Sequence, residues 1–164
     1  MDIPDKPTGL GLVPVPEGDP LASMPDQPSA RYPLSVAAAF LAGVDDPLHF
    51  RSGLLNITTP ESHGAWGDFE GVKDRLIDHG LASGVKKALD ENGEPTPDVV
   101  YVRFVNMTGM GDFSYVSDGE VLVDVQVLSM VWRPEVDSWL IHGLGNYIRP
   151  EELPRTSPGV GPIT

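Results

Sequence analysis

Apolar residues in the first half of the chain recur at intervals of three and four positions, which is the spacing of a helix that buries one face. Residues 32–43 are rich in alanine, the best helix former, so we predict a helix there. A second helix is predicted to begin at Asp46, and a third to run over residues 69–79 with Asp68 as its N-cap. The amino-terminal half is therefore predicted to be helical.

From residue 84 onward the apolar period changes to two, which is the spacing of a β-strand. The strands predicted from this alternation are residues 85–89, 99–107, 120–132 and 139–148. Two or three helices followed by an antiparallel meander of about four strands predict an α+β fold, with the helices against one face of a curved sheet.

Proline and aromatic residues divide the chain into three parts. Eight of the 17 prolines lie in the first 33 residues and four in the last 15, whereas all twelve aromatic residues lie between Tyr32 and Tyr147. Proline-rich stretches without aromatics bury too little apolar surface to offset the entropy of ordering them. We therefore predict a disordered or extended arm over residues 1–30, one α+β domain over residues 31–149, and a Pro/Gly-rich tail over residues 150–164. The alternative is that both ends lie along the domain as ordered, extended segments.

Two segments carry a resemblance to a known family. Residues 37–41 (AAAFL) are similar to the opening helix of the NTF2-like superfamily, the cone-shaped α+β fold that includes ketosteroid isomerase, scytalone dehydratase and polyketide-cyclase relatives. Residues 137–142 (DSWLIH) resemble the family's final strand, with its Asp/Gly-x-Trp-x-Ile pattern, and the match covers residues 34–148. A cystatin-like or other helix-on-sheet α+β domain is the alternative fold.

The resemblance implies a conical pocket between the helices and the concave face of the sheet. We predict that this pocket lies between residues 34–43 and the sheet. Its expected lining residues are Phe40, Trp66, Phe69, Phe104 and His142. The isomerase-like members use an Asp base inside such a pocket. No residue of this chain aligns with that base, and the candidates for an acid–base role are Asp124, His142 and His63.

Polar residues interrupt two of the predicted strands. If a turn near residues 112–113 pairs these strands, Arg103 lies opposite Asp124, and Tyr101 lies opposite Gln126. Exposed cross-strand pairs of opposite charge stabilise a sheet by about 0.2–1 kcal/mol, so one interpretation is a polar patch on the outer or dimer-facing side. The other is a pocket-lining cluster that binds a polar ligand.

The strand predicted over residues 120–132 has two apolar faces. One carries a row of valines and is predicted to face the helices. The other face, extended by the next strand, carries Leu128, Met130, Trp132, Trp139 and Ile141. A large apolar face marks an interface, so we predict a sheet-to-sheet homodimer through these five residues. The alternative is that the amino-terminal arm folds back over them.

The charge balance limits the possible partners. The chain has 24 acidic and 11 basic residues, a net charge of −13, and no cysteine. Nucleic acid and anionic membranes are not expected as partners, because phosphate binding needs a basic surface. No apolar run approaches the length of a membrane span, so no direct membrane insertion is predicted. The four histidines lack metal-ligand spacing, and we predict no metal and no cofactor.

No motif in the chain names a reaction. The prediction is a cytoplasmic, non-catalytic NTF2-like domain that binds a small apolar ligand or a protein partner. One alternative is a cofactor-free isomerase, dehydratase or cyclase that uses a pocket carboxylate or histidine. The other is an extracytoplasmic accessory domain that is tethered through its proline-rich arm.

Overall fold

A computed structural model describes residues 11–16, 18–107, 115–116, 120–121 and 125–162. The described helices are α1 (Pro33–Val44), α2 (Arg51–Asn56), α3 (His63–Trp66) and α4 (Glu70–Leu76). The described strands are β1 (Leu12–Pro14), β2 (His79–Ala88), β3 (Val99–Asn106), β4 (Tyr115–Val116), β5 (Glu120–Val121), β6 (Val125–Arg133) and β7 (Ser138–Gly145). Helices and antiparallel strands in this arrangement confirm the predicted α+β class.

Five strands form one antiparallel sheet in the order β1-β2-β3-β6-β7, and β4 pairs with β5 apart from it. The turn between β2 and β3 is closed by Asp90, whose carboxylate accepts the backbone N–H of Asn92 at 2.8 Å and that of Glu94 at 2.9 Å. Along the free edge of β7, Thr59 N–H donates to the carbonyl of Ile141 at 2.9 Å. The loop before α3 therefore covers part of this edge.

Two predicted helices are shorter in the structure than in the sequence analysis. The helix predicted to start at Asp46 begins at Arg51, and α4 ends at Leu76 rather than at residue 79. Asp78 adopts a φ of +66°, which turns the chain out of α4 and into β2. The Asp68 carboxylate accepts Glu70 N–H at 3.0 Å, as a residue at a helix start does, although the N-cap position itself is the next residue.

The helices cover the sheet face that carries the bulkier side chains. Leu128, Met130, Trp132, Trp139 and Ile141 are at most 2 % exposed and belong to the core beneath α1 and α4. The prediction that these five residues form an interface is therefore wrong, and the argument for a homodimer through them no longer applies. Both faces of β6 are apolar, so alternation alone did not show which face lies under the helices.

The opposite face of the sheet is covered by the segment that follows β7. Tyr101 donates its hydroxyl hydrogen to the carbonyl of Ile148 at 2.6 Å, and Ile148 N–H donates to the hydroxyl of Ser129 at 3.1 Å. Burial raises the pKa of the Tyr101 phenol, which therefore stays protonated as a donor. Leu153 completes this second core against Val99. The chain thus buries both faces of its own sheet.

The described parts of both proline-rich ends are ordered on the domain, as the extended alternative expects. Leu12 pairs with Ala88, and Val15 N–H donates to the carbonyl of Val85 at 2.8 Å. At the other end Arg155 forms a bidentate ion pair with Asp98, with both N–O distances at 2.8 Å. The predicted domain boundaries remain predictions. None of the described helices combines the length and apolarity needed to cross a lipid bilayer.

Candidate functional site

The region where the conical pocket was predicted is filled with aromatic rings. Phe40, Trp66 and Phe69, which we call the aromatic cluster, have ring centroids 5.5 to 6.4 Å apart. Phe40 and Phe69 are fully buried, and so is Phe104 on the sheet beneath them. Surface cavities that the described residues form lie elsewhere, at the chain ends, beside the β2–β3 turn and along α1, and those cavities are not lined by Phe40, Trp66, Phe69, Phe104 or His142.

His63 holds the loop between α2 and α3 together. Its Nε2 lies 2.9 Å from the carbonyl oxygen of Leu55. Since a carbonyl oxygen only accepts hydrogen bonds, Nε2 carries the hydrogen and is the donor. One residue earlier, the hydroxyl of Ser62 accepts the indole N–H of Trp66 at 2.8 Å. These contacts give His63 a role in positioning the aromatic cluster.

His142 lies away from the aromatic cluster, in a polar group at the edge of β7. Its Nδ1 is hydrogen bonded with the hydroxyl of buried Thr59 at 2.7 Å. Nearby, Arg133 donates to Glu61 at 2.9 Å and to the carbonyl of Pro154 at 2.7 Å. We call Thr59, Glu61, Arg133 and His142 the edge network. It joins the loop before α3 to β6, β7 and the carboxyl-terminal segment.

The charges of the edge network follow from burial and from the ion pair. Burial lowers the pKa of His142 from its ordinary value, although the Glu61 carboxylate opposes that shift. The hydrogen bond from Arg133 lowers the pKa of Glu61. Neutral pH therefore leaves a neutral imidazole beside an ion pair, an arrangement that holds the loop without a charged histidine.

The predicted polar cluster does not assemble. Arg103 pairs with Val127 and Tyr101 with Ser129, so the predicted cross-strand partners are wrong. Gln126 lies on the helix side of the sheet, where its side-chain oxygen accepts a hydrogen bond from Arg75 at 3.0 Å. Asp124, the remaining member and a candidate acid, lies outside the described residues. Within the described ranges, no three His, Asp or Glu side chains gather into a metal-binding group.

A largely apolar concavity lies where the segment before α1 and the carboxyl-terminal segment meet the sheet. We call it the terminal groove; its volume is about 500 Å³. Its lining residues are Asp19, Pro20, Leu21, Arg31, Tyr32, Lys87, Pro97, Gly159, Gly161 and Pro162. One wall comes from the segment before α1 and another from the end of the described chain, and Lys87 of β2 also lines the groove.

Hydrogen bonds fix both walls of the terminal groove. On one side Asp19 accepts Leu21 N–H at 2.9 Å and so caps the short 3-10 turn of Pro20–Ala22. On the other side Gly159 N–H donates to the buried carboxylate of Asp98 at 3.1 Å. Gly161 packs so closely on Pro97 that a Cβ atom there would lie 2.6 Å from the proline carbonyl oxygen. This wall therefore requires glycine at that position.

The terminal groove combines apolar walls with a few polar groups. Arg31 is paired with Asp137, and its guanidinium lies 5.5 Å from the ring centroid of Trp132. In the part of the chain that the structure describes, the Lys87 ammonium forms no ion pair and the Tyr32 hydroxyl no hydrogen bond. Apolar walls with a small number of convergent polar groups are typical of small-molecule sites.

No residue of the terminal groove is among the site residues predicted from the sequence. Lys87 follows the alternation of β2 like any surface lysine, and two of the lining prolines, Pro20 and Pro162, fall in the predicted arm and tail. The only signal was the concentration of proline at both ends of one chain. Comparison with protein-family profiles, with curated proteins and with solved structures finds no match for this chain.

Proposed function

We propose that the chain is a non-catalytic, NTF2-like binding domain that holds a small apolar ligand in the terminal groove. The observation that carries this proposal is a contrast between two regions. Buried aromatic side chains fill the space between the helices and the sheet, whereas the terminal groove is open and largely apolar. A volume of about 500 Å³ falls within the range of about 300–1,000 Å³ that is usual for small-molecule sites.

The state of the polar candidates supports a binding role over a catalytic one. Both described histidine candidates have contacts that hold the fold: His63 with the Leu55 carbonyl, and His142 with Thr59. The one carboxylate that lines the terminal groove, that of Asp19, caps its own turn. General acid–base catalysis needs a titratable group free to exchange a proton with the bound substrate, whereas the carboxylate of the groove lining already accepts a backbone hydrogen bond.

The NTF2-like part of the proposal is supported by element order. After the short strand β1, the helices α1 to α4 precede the antiparallel meander of β2, β3, β6 and β7, and α1 packs across the same face of the sheet as α4. The core that they enclose contains Trp139 and Ile141 of the segment that resembles the family's final strand.

Nuclear magnetic resonance of the ¹⁵N-labelled full chain tests the site. We expect 2-naphthamide, a neutral aromatic probe, to shift the amide signals of Leu21, Lys87 and Gly159. Shifts centred on Phe40 and Phe104 instead would place binding in the concave face and contradict the proposal.

Two tryptophan variants of the tail provide a matched comparison. Pro162→Trp puts an indole into the terminal groove, whereas Pro158→Trp puts the same indole on an exposed position of the same segment. We expect the first variant to abolish the probe-induced shifts and the second to retain them. Equal shifts in both variants would rule out the groove as the site.

A further inference from the structure

We infer that the ligand of the terminal groove carries a carboxylate, which Lys87 holds while an apolar body lies against the proline walls. This inference rests on the proposed function and names the chemical class of the ligand. It begins from charge: the chain has 24 acidic residues against 11 basic ones, yet two of the basic residues line this groove.

Lys87 is placed to bind an anion from the helix side of the sheet. It lies two residues after Val85, a core residue beneath the helices, so both side chains leave the strand on the same face. Among the described residues its ammonium has no ion-pair partner. The groove's own carboxylate, Asp19, already accepts the backbone N–H of Leu21.

Two further groups favour an anion at the same place. Arg31 is held in position by Asp137 and by the ring of Trp132, so little side-chain entropy remains to be lost when a ligand binds beside it. Tyr32 occupies the N-cap position of α1 without a side-chain capping bond, and the first turn of α1 contains no acidic residue. A carboxylate has two acceptor oxygens, which suit an ammonium and a phenol hydroxyl as donors.

The rest of the lining requires an apolar body on the ligand. Pro20, Leu21, Pro97 and Pro162 present aliphatic surface. Burying that surface under a ligand is favourable, because it removes apolar area from water. An inorganic anion would leave these walls in water, and a neutral hydrocarbon would leave Lys87 without a partner. An amphiphilic carboxylate satisfies both parts of the groove.

Titration calorimetry with two isosteric probes tests the inference on the full chain. The probes are 2-naphthoate and 2-naphthamide, which share the ring system and differ in charge. We expect the naphthoate to bind at least about tenfold more tightly, since a hydrogen bond to a charged group adds about that much affinity. Added sodium chloride should reduce this preference, because salt screens exposed charges.

Neighbouring lysines supply the control. Lys87→Gln is expected to remove the preference for naphthoate, Lys87→Arg to retain part of it, and Lys86→Gln, on the opposite face of β2, to retain all of it. Equal affinity of the unaltered chain for both probes would overturn the carboxylate while leaving the proposed function intact. If neither probe binds, the proposed function fails as well. Circular dichroism checks that the variants fold, and the two-probe comparison on the unaltered chain decides the inference even if one does not.

Discussion

The aromatic cluster and the terminal groove are built from opposite kinds of residue. Phe40 and Phe69 of the aromatic cluster are fully buried and fill the space that a family resemblance would assign to a ligand. The terminal groove is bordered by the proline- and glycine-rich ends of the chain. Large aromatic side chains pack against one another and fill the core. The open concavity is formed by segments whose prolines and glycines disfavour regular helix and strand.

Proline can form such a wall for a physical reason. It has no backbone N–H that needs a partner, and its fixed φ means that less chain entropy is lost when the segment is ordered. A few anchors then suffice, and here they are Asp19 at one end and the Asp98–Arg155 pair at the other. High proline content therefore predicts extended structure without excluding an ordered position.

The largest effect should come from opening the aromatic cluster. Phe40→Ala removes a fully buried ring that lies against two other rings, so we expect the free energy of unfolding to fall by about 3–5 kcal/mol. Guanidinium chloride denaturation followed by tryptophan fluorescence measures this change. The exposed Phe50, truncated in the same way, is the control and should change the free energy by about 0.5 kcal/mol or less. Similar losses in the two variants would contradict the assignment of Phe40 to the core.

A smaller effect is expected from releasing one wall of the terminal groove. Arg155→Ala leaves the fully buried carboxylate of Asp98 with the Gly159 N–H but without its cation, and we expect a loss of about 2–3 kcal/mol, the range for hydrogen bonds to charged groups. The same variant should lose affinity for naphthoate, because the Gly159 wall is held by the same carboxylate.

The matched control for Arg155 is Arg149→Ala. Arg149 forms a 3.8 Å surface pair with Glu151, and pairs of this kind contribute about 0–1 kcal/mol. Limited proteolysis under native conditions separates the two variants. We expect cleavage within the tail beyond residue 153 in Arg155→Ala but not in Arg149→Ala. Protection of the tail in that variant would show that the groove wall is held by something other than the ion pair.

The smallest effect concerns pH and the edge network. Burial holds the pKa of His142 below its ordinary value of 6.5 in the folded protein. As the pH falls through the unfolded pKa, the unfolded chain gains a proton that the folded protein does not, so the free energy of unfolding decreases. We expect this decrease between about pH 7.5 and pH 5.5, and expect it to be smaller in His142→Asn.

Two comparisons isolate the histidine. Glu61, whose pKa is lowered by Arg133, contributes stability above its unfolded pKa that is lost only at lower pH, outside this window. His49→Asn changes an exposed histidine that contacts Phe50, and it should keep the pH dependence of the unaltered chain. Urea midpoints at several pH values provide the measurement. A pH dependence that is unchanged in His142→Asn would contradict the assignment.

The sequence predicted those elements whose own residues determine them. The helix predicted over residues 32–43 is α1, and the strand predicted over residues 99–107 is β3, because each has a strong local period. The sheet face covered by helices was assigned incorrectly, because Val127 and Leu128 are both apolar and both buried, one on each face. Which of the two faces lies under the helices is decided by the packing of the larger side chains beneath α1.

The terminal groove could not be predicted from local sequence patterns, for a different reason. The terminal groove exists only because Lys87, Tyr32 and Pro162 meet in space, and nothing in the spacing of these residues along the chain indicates that they do. The register between β3 and β6 was missed for a related reason. A shift of one strand along the other changes which side chains are opposite each other. The pattern of valines permits more than one register between β3 and β6.

The way in which the terminal groove is attached has a consequence for the order of folding. Its walls are joined to the sheet by contacts that span long stretches of chain, Leu12 with Ala88 and Arg155 with Asp98. Such contacts close large loops, and they need the β2–β3 hairpin in place before either end has a surface to bind. We therefore expect the groove to assemble after the hairpin and to open by local unfolding before the core does. If the groove binds a ligand as proposed, a molecule with an intact core but an open groove would not bind, and added ligand would favour the closed form by mass action.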